Sequence, residues 1–108
     1  MLDRVDKEDI FIGASMSGYP ETVKILLKAG VNVHVRDECA LQNASLYGHT
    51  EVVKLLLEAG ADIHAVDDGA FRWARENGHT EIIKLLENWG KNKPNTQKLY
   101  VPGSRILR

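Results

Sequence analysis

A single offset of thirty residues runs through the chain and limits what it can fold into. It relates Gly18, Gly48 and Gly78, and again Gly30, Gly60 and Gly90. Ala14, Ala44 and Ala74 follow it, as do Glu21, Glu51 and Glu81, Lys24, Lys54 and Lys84, and Leu26, Leu56 and Leu86. Residues 7–36 and 37–66 agree at 12 of thirty positions, and 37–66 and 67–96 agree at 11. A period of this length marks a stack of like supersecondary units. No such unit covers its own apolar face, so each is stable only against a neighbour. In 108 residues this leaves room for three units, about 7–36, 37–66 and 67–90, followed by an extension over 91–108. A core of that size suffices for independent folding with little margin.

Each unit reads as two short helices. In the middle unit the first is expected over Glu38–Leu46, with Asp37 as its N-cap and Ala40, Leu41 and Ala44 on one face. Gly48 ends it, and a second helix follows over Thr50–Glu58 with Thr50 as N-cap. Val52, Val53, Leu55, Leu56 and Leu57 make the second helix apolar around most of its girth, as a helix packed between neighbours requires. Gly60, like Gly90 in the third unit, is its stop. Pro20 opens the second helix of the first unit, where the missing amide hydrogen costs nothing. The recurrent alanines let the two helices of a unit approach closely. The third unit repeats the scheme, with Asp67 or Asp68 as cap.

The run Gly48-His49-Thr50-Glu51-Val52-Val53-Lys54-Leu55-Leu56-Leu57-Glu58-Ala59-Gly60-Ala61-Asp62-Ile63 resembles the second helix and following turn of an ankyrin repeat. The pattern recurs from Gly78 to Gly90 and, more weakly, from Gly18 to Val33. The resemblance covers about residues 7–90. It implies an all-α, ankyrin-type solenoid of three helix-turn-helix repeats that binds partner proteins through its concave face. Two departures qualify it. The period is 30 rather than the family's 33, so shortened loops are expected in place of the projecting β-hairpins. The family's Thr-Pro-Leu-His opening is replaced by Cys39-Ala40-Leu41-Gln42 and Gly69-Ala70-Phe71-Arg72. Short units of this kind are similar to ankyrin repeats abundant in giant viruses of amoebae.

The residues that invite a chemical reading are better explained by the scaffold. His34, His49, His64 and His79 are spaced like metal ligands, but equivalent positions in stacked repeats lie too far apart to converge on one ion. The resemblance instead implies that the rings of His49 and His79 bridge backbone groups of adjacent repeats. Cys39, the only cysteine, follows Asp37 and Glu38 and has no basic neighbour to activate it. Asp67 and Asp68 sit at a helix start, where capping accounts for them. No catalytic, cofactor or metal site is expected, and no cofactor. Trp73 and Trp89 break the repeat; they are expected either to seal the open end of the stack or to anchor a partner.

The resemblance implies a contact surface made of the inter-repeat loops and the outward face of each first helix, and the positions that change between units, such as Leu46-Tyr47 and Val66-Asp67, are consistent with it. The candidate contact set is Arg36, Glu38, Gln42, Leu46, Tyr47, Asp68, Arg72, Trp73, Glu76 and Asn77. Tyr, Trp and Arg dominate binding energy at interfaces. A non-catalytic protein–protein interaction module is therefore the expected function, with a viral or bacterial effector that occupies a host protein as one alternative. A self-associating structural unit is the other, since Ile10, Phe11 and Ile12 leave the first unit one apolar residue in surplus. Otherwise a monomer is expected. Residues 1–90 hold 9 basic and 15 acidic side chains, whereas 91–108 hold five basic and none acidic. The extension also carries Leu99, Tyr100, Val101, Ile106 and Leu107, which suggests a partial cap over the last unit. An acidic body and little aromatic interleaving argue against a nucleic-acid arm. No apolar run approaches the length of a membrane span or a secretory signal, so an intracellular protein with no membrane partner is expected.

Overall fold

The computed structural model describes residues 6–92. They form six helices: α1 (Lys7–Ser17), α2 (Pro20–Lys28), α3 (Val35–Tyr47), α4 (Thr50–Glu58), α5 (Ala65–Glu76) and α6 (Thr80–Asn92). Each odd helix packs against the even helix that follows it. The odd helices stack on one another in one layer, and the even helices in a second. No strand occurs among the described residues, so short turns replace hairpins between units. The expected solenoid of three helical pairs is what the chain adopts. The extension beyond Asn92, and with it the expected cap, lies outside the described residues.

The alternation of small and large residues builds the core. Ala14, Ala44 and Ala74 are buried between the helices of their units. Phe11 and Leu41, thirty residues apart, are fully buried, together with Val23, Val52, Val53, Leu56 and Ile82. Burying a side chain such as Leu56 contributes roughly 1.5–3 kcal/mol. Phe71 takes the same place in the third unit but is only partly buried, because no described residue stands over that face.

Histidine ties the units together. His49 Nε2 donates to the Met16 carbonyl at 2.8 Å, and His79 Nε2 donates to the Leu46 carbonyl at 2.9 Å. A carbonyl only accepts, so the hydrogen sits on Nε2. Each ring lies against the glycine that ends the first helix of the preceding unit. A Cβ on Gly18 would lie 2.5 Å from His49, and one on Gly48 would lie 2.6 Å from His79. Both glycines have φ +80 and close their helices by donating the amide N–H to the carbonyl of Ala14 or Ala44. Positive φ and missing space together disfavour any other residue there.

The helix starts differ from expectation. Arg36, Asp37 and Glu38 have φ of 53, 55 and 64°, and Val66, Asp67 and Asp68 have φ of 56, 55 and 58°. In both loops these three residues form a turn of left-handed helix ahead of the right-handed one. Asp37, Asp67 and Asp68 therefore lie inside that turn rather than at an N-cap. The loop begins with an Asx turn, in which Asn32 Oδ1 accepts from the His34 amide and Asp62 Oδ1 from the His64 amide, both at 2.9 Å. A histidine–carboxylate pair then spans the left-handed residues: His34 Nδ1 with Glu38 Oε2, and His64 Nδ1 with Asp68 Oδ1 at 2.7 Å. At the second helices, His49 and not Thr50 occupies the N-cap position, and Thr50 is the first helical residue. Gly90 does not stop the last helix, which runs on to Asn92. Pro20 opens α2 as expected.

Candidate functional site

The layer of α1, α3 and α5, with the loops before α3 and α5, presents the face on which the variable positions fall. Its frame is fixed by the buried alanines and by the histidine bridges, which set the spacing between α1, α3 and α5. A cleft of about 230 Å³ opens on this face between the second and third units. Cys39, Gln42, Asn43 and Leu46 of α3 form one wall, and Trp73 of α5 faces them. Arg36, Asp37 and Val66 from the two loops close its end.

Four of the expected contact residues, Arg36, Gln42, Leu46 and Trp73, thus come together. Trp73 is 39% exposed and lines the cleft toward α3, so it does not seal the end of the stack. Trp89 is partly buried and packs on the core of the third unit. Tyr47, 52% exposed, ends α3 one residue beyond Leu46. Glu76 and Asn77 are exposed at the end of α5, where Asn77 Nδ2 donates to the Trp73 carbonyl at 2.9 Å.

Glu38, Asp68, Arg72 and Arg36, all expected contacts, prove to be engaged within the chain. Glu38 is only 3% exposed and holds His34 from inside the loop, so it is not available for display. Its second carboxylate oxygen, Oε1, is buried without a partner. Asp68 is exposed but paired to His64. Arg72 donates through Nε to the Asp67 carbonyl at 3.1 Å and through Nη2 to the Val66 carbonyl at 3.2 Å, bracing the left-handed turn. Arg36 is tied as well: its Nη2 donates to Asp9 Oδ1 at 2.6 Å across the first and second units.

Four cleft residues were not among the expected contacts: Asp37, Cys39, Asn43 and Val66. Cys39 and Val66 look bland in isolation. The signal that marks them is the repeat itself. Shifted by thirty residues, the ion pair Asp9–Arg36 becomes Cys39 and Val66. Asn43 Nδ2 lies 3.2 Å from Cys39 Sγ and orients the thiol within α3. Among the described residues no group of three or more His, Cys, Asp and Glu side chains could hold a metal ion, and no helix is long and apolar enough to cross a membrane.

The family model for ankyrin repeats matches residues 10–98, in three copies. No curated protein sequence matches the chain.

Proposed function

The chain belongs to the ankyrin-repeat family, and from that premise we propose that it is a non-catalytic module that binds a partner protein on the face formed by α1, α3 and α5, centred on the second and third units. Ankyrin repeats generally mediate protein–protein interaction. The observation that carries the reading here is the placement of Tyr47 and Trp73. Both are large aromatic residues, both are exposed, and both belong to units whose buried alanines and helix-ending glycines repeat. Tyr and Trp supply much contact area for little lost conformational freedom, which is why they concentrate binding energy. Three units offer a small surface, so an interface at or below about 800 Å² per partner is expected.

The test is the double variant Tyr47→Ala with Trp73→Ala, assayed for capture of partner proteins from an extract of the native cell. Capture is expected to be lost while helical circular dichroism is retained. Undiminished capture by a folded double variant would place the interface elsewhere. Loss of helicity would show that the rings are structural.

A further inference from the structure

We propose that the cleft between α3 and α5 is an anchor pocket for one bulky apolar side chain, presented by a positively charged segment of a partner protein. The proposal rests on the protein-binding reading above and specifies which partner chemistry it selects.

The size of the cleft sets the first condition. An apolar cavity of about 150 Å³ accepts benzene. A cleft of about 230 Å³ therefore has room for one aromatic or branched aliphatic side chain and not for a helix. Its walls match such a guest, since Trp73, Leu46, Val66 and Cys39 offer an indole face, two aliphatic surfaces and a thiol.

The second condition is that the cleft is a departure from the repeat rather than a property of it. Between the first and second units the corresponding gap is bridged by Asp9 and Arg36 at 2.6 Å. Between the second and third units those two positions are Cys39 and Val66, which cannot form an ion pair, and Trp73 stands where α3 has Asn43. Val66 is also 53% exposed, β-branched and at φ 56. An apolar β-branched residue held in the left-handed region and in water is unfavourable on both counts for folding. Burial under a partner removes the exposure.

The charge around the cleft sets the third. Asp37 lines it, Asp67 adjoins Val66, and Glu76 lies one turn beyond Trp73 on α5. Of the nearby cations, Arg36 is paired with Asp9, Arg72 keeps its charge but is held on backbone carbonyls, and Arg75 lies over the Phe71 ring. Over residues 6–92 the chain has 9 basic and 14 acidic side chains. Such a rim favours lysine and arginine on either side of the anchor and repels an acidic segment.

The experiment selects a phage-displayed library of random twelve-residue peptides on the full chain. The enriched peptides are expected to share a single Trp, Phe, Leu or Met flanked by Lys or Arg. They should bind more weakly as salt rises from about 50 to 300 mM. The decisive variant is Cys39→Asp with Val66→Arg, which installs across the cleft the ion pair that already bridges the first two units, so the fold has a precedent for it. Helical circular dichroism is expected to be unchanged and peptide affinity to fall at least tenfold. Tyr19→Ala, exposed just ahead of α2, is expected to leave affinity unchanged. Enrichment of acidic or wholly polar peptides, or no enrichment, overturns the proposal. Peptides that bind the closed variant as tightly but are lost on Tyr47→Ala overturn the pocket and spare the binding face. Peptides indifferent to both changes overturn both.

Discussion

Replacing Gly48 by alanine isolates the bond between neighbouring units, because Gly78 supplies a matched control. Both glycines follow the first helix of a unit and both have positive φ, +80 and +69. They differ in what stands over them. A Cβ on Gly48 would lie 2.6 Å from Cε1 and 2.7 Å from Nδ1 of His79, whereas one on Gly78 meets nothing within 4 Å among the described residues. Alanine in the left-handed region costs about 1–2 kcal/mol, and its stiffer unfolded chain returns about 0.4–1. Gly78→Ala should therefore destabilise by about 1 kcal/mol. Gly48→Ala carries the same cost and also expels the imidazole, losing the His79–Leu46 hydrogen bond, worth about 1 kcal/mol. Its total should reach about 2–3 kcal/mol, counting the ring's lost packing. Urea unfolding followed at 222 nm measures both, provided the slopes agree with the parent's. In a His79→Ala background the cost of Gly48→Ala should drop to that of Gly78→Ala, a coupling of about 1 kcal/mol or more. Equal costs for the two glycines, or a coupling below about 0.5 kcal/mol, would refute the histidine bridge as a stabilising contact.

Three further outcomes are expected. Val66→Gly removes the left-handed strain of a β-branched residue, about 1–2 kcal/mol, against glycine's entropy cost of about 0.5–1; the midpoint of urea unfolding should rise while affinity for the selected peptides falls. Glu38→Ala removes a buried carboxylate that fastens its loop and should destabilise by about 1–3 kcal/mol, whereas Asp68→Ala at the exposed equivalent position should cost less than about 1; equal costs in the same assay would show that burial of Glu38 adds nothing. Shortening the chain after Asn92 removes the apolar residues proposed to cover the third unit, where Phe71 is only partly buried. The melting temperature measured by circular dichroism should fall by about 4–8 °C per kcal/mol of lost cover, and an unchanged value would leave the extension without a capping role.

What the repeat determined, it made legible. Helix pairs, the buried alanines and the stacked Phe11 and Leu41 follow from spacing, because a residue that recurs every thirty positions meets its own equivalent in the next unit. The left-handed turns were not legible. Positive φ is announced mainly by glycine, which Arg36-Asp37-Glu38 and Val66-Asp67-Asp68 lack, and only occasionally by asparagine or aspartate. An aspartate ahead of an apolar run reads as an N-cap, and here the same residues serve a different turn. Glu38 was misplaced for a related reason. A charged residue at the start of an expected first helix reads as display, while the histidine four residues earlier that draws it inward becomes visible only once the loop geometry is known. Within the candidate face Arg36, Gln42, Leu46 and Trp73 were readable by type and variability. Cys39 and Val66 gain their meaning only as the pair that replaces Asp9 and Arg36.

The left-handed turn also explains how a unit of thirty residues can do without a hairpin. Three non-glycine residues in that region cost roughly 3–6 kcal/mol per loop at 1–2 each, and such strain persists only where the surroundings over-determine it. The surroundings here are explicit: an Asx turn fixes the entry, a histidine–carboxylate pair spans the turn, and the Glu38 and Asp68 amides close onto the His34 and His64 carbonyls at 3.4 and 3.1 Å. In the second loop Arg72 adds two more bonds. A loop held this way cannot vary its reach, so it places one side chain, Arg36 or Val66, at the rim of each inter-unit gap. Selectivity must then reside in which residues occupy a few invariant places. Arginine facing Asp9 shuts a gap; valine facing Cys39 leaves it open. On an unchanged backbone, that exchange and the replacement of Asn43 by Trp73 at the equivalent position are what distinguish the cleft from the bridged seam.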